Sequence, residues 1–326
     1  MLKVHKTHSI TRLCYPFSMV ENINKIIKRI PIPFCGVVLS VASLATLFDT
    51  ILPWAHYLLG TLAFLLFAAI LAKIVLFPGT IAEELENPLS SAVVGTFPML
   101  LFGFVPHFEH IWHYAGFFLW VIALLLYLFI MVRFTLKFAI RIPIDEITPA
   151  YFIVYVPILL AANTSPLFGM QVVGRGLFWL CLALTFILLI VVSIRFVHNK
   201  ALPTAQLPLL CIYAAPASMC TTAYLSCFND PSPILLSVLY LLAIALFLAG
   251  LIILLSCLRL PFFPTFSAMT FPFVICATAS FKLAQYLPEG MLSSIVNCYA
   301  FIQFAIAVAV VFYVLARFLI LFFKPE

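Results

Sequence analysis

The chain has 326 residues, 65% of them hydrophobic and only 9% charged, with a formal net charge of +6 and a mean hydropathy of +1.22. About a quarter of the residues of a soluble globular domain are charged, so a soluble enzyme or binding module is excluded. Runs of about 20 apolar residues cross a bilayer core, and such runs make up most of this sequence, so we expect an all-α polytopic membrane protein.

Residues 1–30 form a polar stretch without the continuous apolar core of a signal peptide. Ser18 and Glu21 make an S-x-x-E capping box. After it, Val20, Ile23, Ile26, Ile27 and Ile30 follow a helical period against Lys25, Lys28 and Arg29. This reads as a basic amphipathic tail lying on an anionic cytoplasmic lipid surface. A partly ordered tail is the simpler alternative. Residues 31–326 are then the membrane-embedded pore domain.

Ten spans are expected, at about 33–50, 55–77, 89–106, 112–138, 149–168, 173–197, 206–227, 233–258, 261–283 and 291–322. The odd spans are short, rich in small and hydroxyl residues, and contain proline. The even ones are longer and dominated by Leu, Ile, Val and Phe. Uniformly apolar helices suit lipid contact, while small-residue helices pack closely or line cavities. The even helices are therefore expected as an outer wall and the odd ones as an inner layer.

The prolines repeat. Spans three, five, seven and nine each open on one (Pro88, Pro149, Pro208, Pro264) and carry a second eight to ten residues later (Pro98, Pro157, Pro216, Pro272). The second set lies 59, 59 and 56 residues apart, and one further step of 60 back from Pro98 reaches Val38 in the first span. A fixed period of this kind marks one repeated structural unit. Here the unit is a helical hairpin present five times, each with a kinked inner helix, in a quasi-fivefold arrangement around a central pore.

Of the 17 Lys and Arg residues, only Arg175 and Lys282 fall on one side of this topology, and the other fifteen lie on the side of both termini. The positive-inside rule puts that side in the cytoplasm of a cell-membrane protein. The inner helices carry no charge at mid-depth; Lys282 sits at the outer end of span nine. They offer hydroxyls and small residues instead, with Ser40, Ser43, Thr96, Thr164, Ser218, Thr222 and Thr278 as the candidate pore lining. Close helix packing is the competing explanation for these. A neutral lining with kink-freed backbone and inward helix N-termini favours weak binding and fast passage of anions.

Other patterns carry less. His107, His110 and His113 recur at steps of three beside Glu109, a spacing able to present metal ligands, although histidines at an aromatic membrane interface explain it more simply. Glu83, Glu84 and Glu86 fit a solvated cytoplasmic loop. The nine cysteines include no C-x-x-C pair and read as small apolar residues. No G-x-S-x-G, H-E-x-x-H or phosphate-binding loop is present. Enzyme activity, a metal, a cofactor and a nucleic-acid partner are therefore not expected.

The segments ENPLSSAVVGTFPM (86–99), ITPAYFIVYVPILLAANTSP (147–166), QLPLLCIYAAPASMCTTAYLS (206–226) and MTFPF (269–273) together resemble the tellurite-resistance/dicarboxylate transporter family. That family includes bacterial TehA-like proteins and plant slow anion channels. The resemblance covers about residues 31–323. It implies ten helices in quasi-fivefold hairpins, a pore through each protomer of a homotrimer, and a phenylalanine of the ninth helix that plugs the pore. Phe271, preceding Pro272, matches that position, with Phe273 and Phe266 as neighbours and Phe97 as a second aromatic before a kink proline. The family's first inner helix usually carries a kink proline where this chain has Val38. The implied partners are membrane lipids and small inorganic or organic anions, moved by a channel or by a coupled C4-dicarboxylate, sulfite or tellurite transporter.

Overall fold

The computed structural model describes residues 24–324, apart from 50, 142, 144, 145 and 199–201. The expected capping box at Ser18 and Glu21 lies outside these residues. Residues 24–29 are helical, and Arg29 Nη1 donates to the backbone oxygen of Lys324 at 2.8 Å, so the first and last described segments meet at one end of the molecule.

Every regular element among the described residues is helical. In chain order these are α1 (Phe34–Asp49), α2 (Pro53–Leu76), α3 (Pro78–Glu84), α4 (Pro88–Val94), α5 (Thr96–Ile111), α6 (His113–Phe134), α7 (Tyr151–Tyr155) and α8 (Leu159–Thr164). They continue with α9 (Gln171–His198), α10 (Ala215–Cys227), α11 (Pro233–Cys257), α12 (Phe271–Tyr286) and α13 (Met291–Phe323). Tight 3₁₀ turns at Thr204–Ala214 and Pro264–Met269 lead into α10 and α12.

Eight helical segments are long and apolar enough to cross a membrane. The other two expected spans differ in build. The first, α1, has 16 residues. The region 149–168 is broken into α7, α8 and a 3₁₀ turn, because Pro157 and Pro166 each remove a backbone donor.

Burial separates two layers as the alternating composition suggests. Inner windows in Pro88–Ile111, Thr204–Cys227 and Pro264–Tyr286 are 72%, 78% and 83% buried. The long helices α2, α6, α9, α11 and α13 reach only 22% to 39% and present Leu, Ile, Val and Phe outward. Each outer helix packs on the inner segment beside it: α2 on α1, α6 on α5, α9 on α8, α11 on α10 and α13 on α12. The inner segments touch in a closed cycle, α1 to α5, α5 to α8, α8 to α10, α10 to α12 and α12 back to α1.

Close approaches fix this layer. A Cβ on Gly103 would lie 2.9 Å from Leu39 of α1. One on Gly174 would lie 2.1 Å from Ser165 Oγ and 2.7 Å from Cys227 Sγ, so at this point α9 can approach the broken segment so closely only with a glycine.

Candidate functional site: the axial cavity

Each break sits at or just before its proline, since proline disturbs the turn that precedes it. The segment holding Pro98 breaks at Gly95, where a Cβ would stand 3.0 Å from the Ile153 oxygen. The others break at 156–158 around Pro157, at the Ala214–Ala215 junction before Pro216, and at Thr270 before Phe271 and Pro272. Helix α1 runs unbroken through Val38.

Backbone freed in a membrane interior needs protein partners, and several are visible. Pro157 cannot bond the Ile153 oxygen, and Tyr127 Oη of α6 donates to that oxygen at 2.8 Å. Pro166 leaves the Ala162 oxygen, which accepts from Ser165 Oγ at 2.8 Å and from Cys227 Sγ at 3.0 Å. Beside Pro216, the Ala214 oxygen accepts from Ser218 Oγ at 3.4 Å and from Cys276 Sγ at 3.2 Å. Thr270 Oγ1 donates to Ser267 O at 2.7 Å and lies 2.8 Å from Ser40 Oγ of α1.

These kinks surround a cavity of about 60 Å³, on the axis of the inner layer and toward the end where Arg29 meets Lys324. All five inner segments contribute to its wall, among them through Leu39, Met99, Val156, Met219 and Phe271. Pro157, Pro216 and Pro272 also line it, while Pro98 is buried. None of the lining residues is charged.

The phenylalanines separate. Phe271 borders the cavity, is 6% exposed and makes no ring–ring contact among the described residues. Phe273 points to the outer wall, its centroid 5.7 Å from that of Phe247, and Phe266 packs on Phe262 at 5.3 Å. Phe97 faces Phe67 of α2 at 6.2 Å and borders a separate space between α2 and α6, not the axis.

The candidate hydroxyls also divide. Thr96 lines the axial cavity, its Oγ1 bonded back to Val93 O. Ser43 and Thr278 are half-buried beyond it. Ser40 and Ser218 sit between helices, on Thr270 Oγ1 and Cys276 Sγ respectively. Thr164 and Thr222 are buried and donate to Leu160 O and Met219 O.

Past the cavity, the axial faces are closed. Residues 40–42, 100–102, 220–224 and 272–277 are all buried. Partial exposure returns at Ser43, Gly103, Ser226 and Thr278, each reached by helical steps of four or seven from a cavity-lining residue and so on the same face. These faces therefore open again, as a vestibule, beyond a fully buried stretch. The vestibule holds a cluster that sequence reading missed as a unit: Lys282 Nζ donates to Asn163 Oδ1 at 2.8 Å and to Ser226 Oγ at 2.6 Å.

The histidines do not converge. His107 stacks on His56 at 4.9 Å with both ring nitrogens buried and unbonded, and His113, on the next helix, approaches Glu109 at 3.4 Å. No group of three metal-ligating side chains forms among the described residues. At the end of α3, Glu84 lies 3.6 Å from Lys73 of α2, whose Nζ also donates to Ile30 O. Burial pushes the Glu84 carboxyl above its usual range, with Lys73 opposing. Glu86 is held below the usual range by its hydrogen bond and charge contact with Lys137, with Arg133 adding a smaller pull.

A layer of broken helices around an uncharged axial cavity, walled by long apolar helices, defines a polytopic membrane protein. Residues 29–319 match the model of the voltage-dependent anion channel family, and the chain belongs to that family. It is the tellurite-resistance/dicarboxylate family that the segments above resemble, and its members are channels or transporters rather than enzymes. No curated protein matches the chain.

Proposed function

We propose that the chain is a cell-membrane anion channel, or channel-like transporter, in which small monovalent anions cross along the axis and Phe271 closes the path. In this reading ten spans form five hairpins around the axis, both termini are cytoplasmic, and three protomers associate, each with its own pore. The observation that carries it is the axial cavity, walled by all five inner segments without a charged residue. An ion passing such a wall binds weakly and leaves quickly, as conduction requires. Phe271 and Phe152 are the aromatics that line that cavity, and Phe271 is the one that stands beside the break at Thr270. Coupled transport of a C4-dicarboxylate, sulfite or tellurite is the rival. A dicarboxylate carrier is expected to hold its substrate with arginine pairs, and the cavity wall offers none.

The test is current in a planar bilayer. Phe271→Ala should raise anion current over wild type under the same gradient. An unchanged current from a well-folded variant defeats the gate, and absence of flux from both proteins defeats transport.

A further inference from the structure

Lys282 is a charged residue of the inner layer that does not line the axial cavity. It lies eleven residues beyond Phe271 on unbroken α12, a rotation of about 20° past three full turns and a rise of about 16 Å. Lys282 therefore stands on the same helical face as Phe271, with Thr278 between them. From 271 to 284 the residues of α12 are buried except Thr278, Phe281 and Lys282, and Phe281 is turned to Phe301 and Phe304 of α13. The openings at Thr278 and Lys282 thus look onto the vestibule.

The chemistry of the cluster is lopsided. An ammonium has three protons and no acceptor. Two of the Lys282 protons go to neutral oxygens, Asn163 Oδ1 and Ser226 Oγ, and Ser226 Oγ also lies 2.8 Å from Asn163 Oδ1. Among the described residues no carboxylate pairs with Lys282. A half-buried cation normally has a counter-charge, because neutral dipoles offset only part of its lost hydration. Asn163 and Ser226 come from α8 and α10, so three inner segments converge to hold one unmatched positive charge at the mouth of the path.

We propose that Lys282, positioned by Asn163 and Ser226, is an anion-binding station at the vestibule, taking a small monovalent anion such as a halide or nitrate on its remaining proton. One cation among neutral donors matches one negative charge, while a doubly charged anion would leave a charge uncompensated. Its role as an entry station rests on the channel reading above; the binding site itself does not.

The experiment titrates bromide, against gluconate at constant ionic strength, into the purified full-length protein and follows thermal stabilisation, since a ligand of the native state raises its melting temperature. Wild type should be stabilised. Lys282→Gln and Lys282→Met should weaken the apparent bromide affinity by about tenfold or more, as loss of a charge-assisted hydrogen bond implies, and Lys282→Arg should retain it. If the methionine variant does not fold, the glutamine and arginine pair decides, because Gln keeps a donor and loses only the charge. Equal affinity in wild type and Lys282→Gln, or no bromide effect on wild type, overturns the site. Lys282-dependent binding without anion flux in Phe271→Ala supports the site and removes the channel reading. Flux together with binding indifferent to Lys282 does the reverse.

Discussion

Tyr127→Phe tests whether the outer wall holds the inner kinks in shape. Pro157 has no amide proton, so the Ile153 oxygen lacks its normal helical donor, and Tyr127 Oη supplies one at 2.8 Å. Tyr127 is 1% exposed, so water cannot take its place. Removing the hydroxyl keeps the ring and its packing, which leaves the orphaned carbonyl as the main loss. An unsatisfied buried acceptor costs about 1–3 kcal/mol in soluble proteins, whereas hydrogen bonds between membrane helices average about 0.6 and reach about 1.7 kcal/mol. The low membrane average arises because the denatured chain finds other partners; at Ile153 the proline has already removed the local one. We therefore expect a loss of about 1–1.7 kcal/mol, the upper part of the membrane range. Equilibrium unfolding in mixed micelles of increasing dodecyl sulfate content measures it. In a Pro157→Ala background, where residue 157 regains its N–H, the same substitution should cost clearly less, a non-additivity that a double-mutant cycle reads directly. Tyr127→Phe indistinguishable from wild type, or an equal cost in both backgrounds, refutes the reasoning.

Glu84 gives a pH prediction with a definite sign. Its folded carboxyl is raised by burial, so its contribution to stability is fully present below the ordinary carboxylate value and is lost as pH rises through the raised one. Against Glu84→Gln, wild type should gain melting temperature as pH falls from neutral into the carboxylate range; a relative loss on acidification would mean that Lys73 dominates instead. Gly174→Ala forces a Cβ to within 2.1 Å of Ser165 Oγ, whereas Gly176 has nothing within 4 Å. Overpacking should cost Gly174→Ala about 1–3 kcal/mol and Gly176→Ala nothing, and equal unfolding midpoints in the two would show that α9 is not pinned there.

The two-layer organisation was legible because composition and proline spacing carry the same message. A proline in a membrane helix must have its freed carbonyl covered, so Pro98, Pro157, Pro216 and Pro272 mark helices inside a bundle. The partners that cover them were not legible. Tyr127 serves Ile153 across 26 residues, and Cys227 serves Ala162 across 65. The break points shift as well: the second inner segment opens at Gly95 rather than at Pro98, because the turn before a proline yields first. Hydroxyls were the poorest guide to the lining. Thr164 and Thr222 satisfy themselves on their own helix, so their presence says little about which way a face looks. The histidine spacing carries no shared face for a physical reason: α5 ends at Ile111, and His113 belongs to the next helix. Lys282 was visible as a charge, but its partners lie 56 and 119 residues away in the chain.

In the proposed channel the axis is blocked by apolar packing as well as by the ring of Phe271. The cavity wall beside Phe271 is apolar, with Leu39, Met99 and Met219 at 1%, 4% and 2% exposure. An anion there would surrender its water for no compensating dipole, which is costly whatever the width, and apolar constrictions close by dewetting. Phe271 is the one of these four with an aromatic ring, and it follows Thr270, the residue at which the helix is interrupted. Thr270 in turn is tied to Ser40 Oγ at 2.8 Å and to Gly36 O at 3.3 Å of α1. Since α1 is the inner helix without a break, the straight member of the layer braces the hinge of the one that carries the proposed gate. A change at the Thr270–Ser40 contact would therefore move the ring without requiring the outer wall to move.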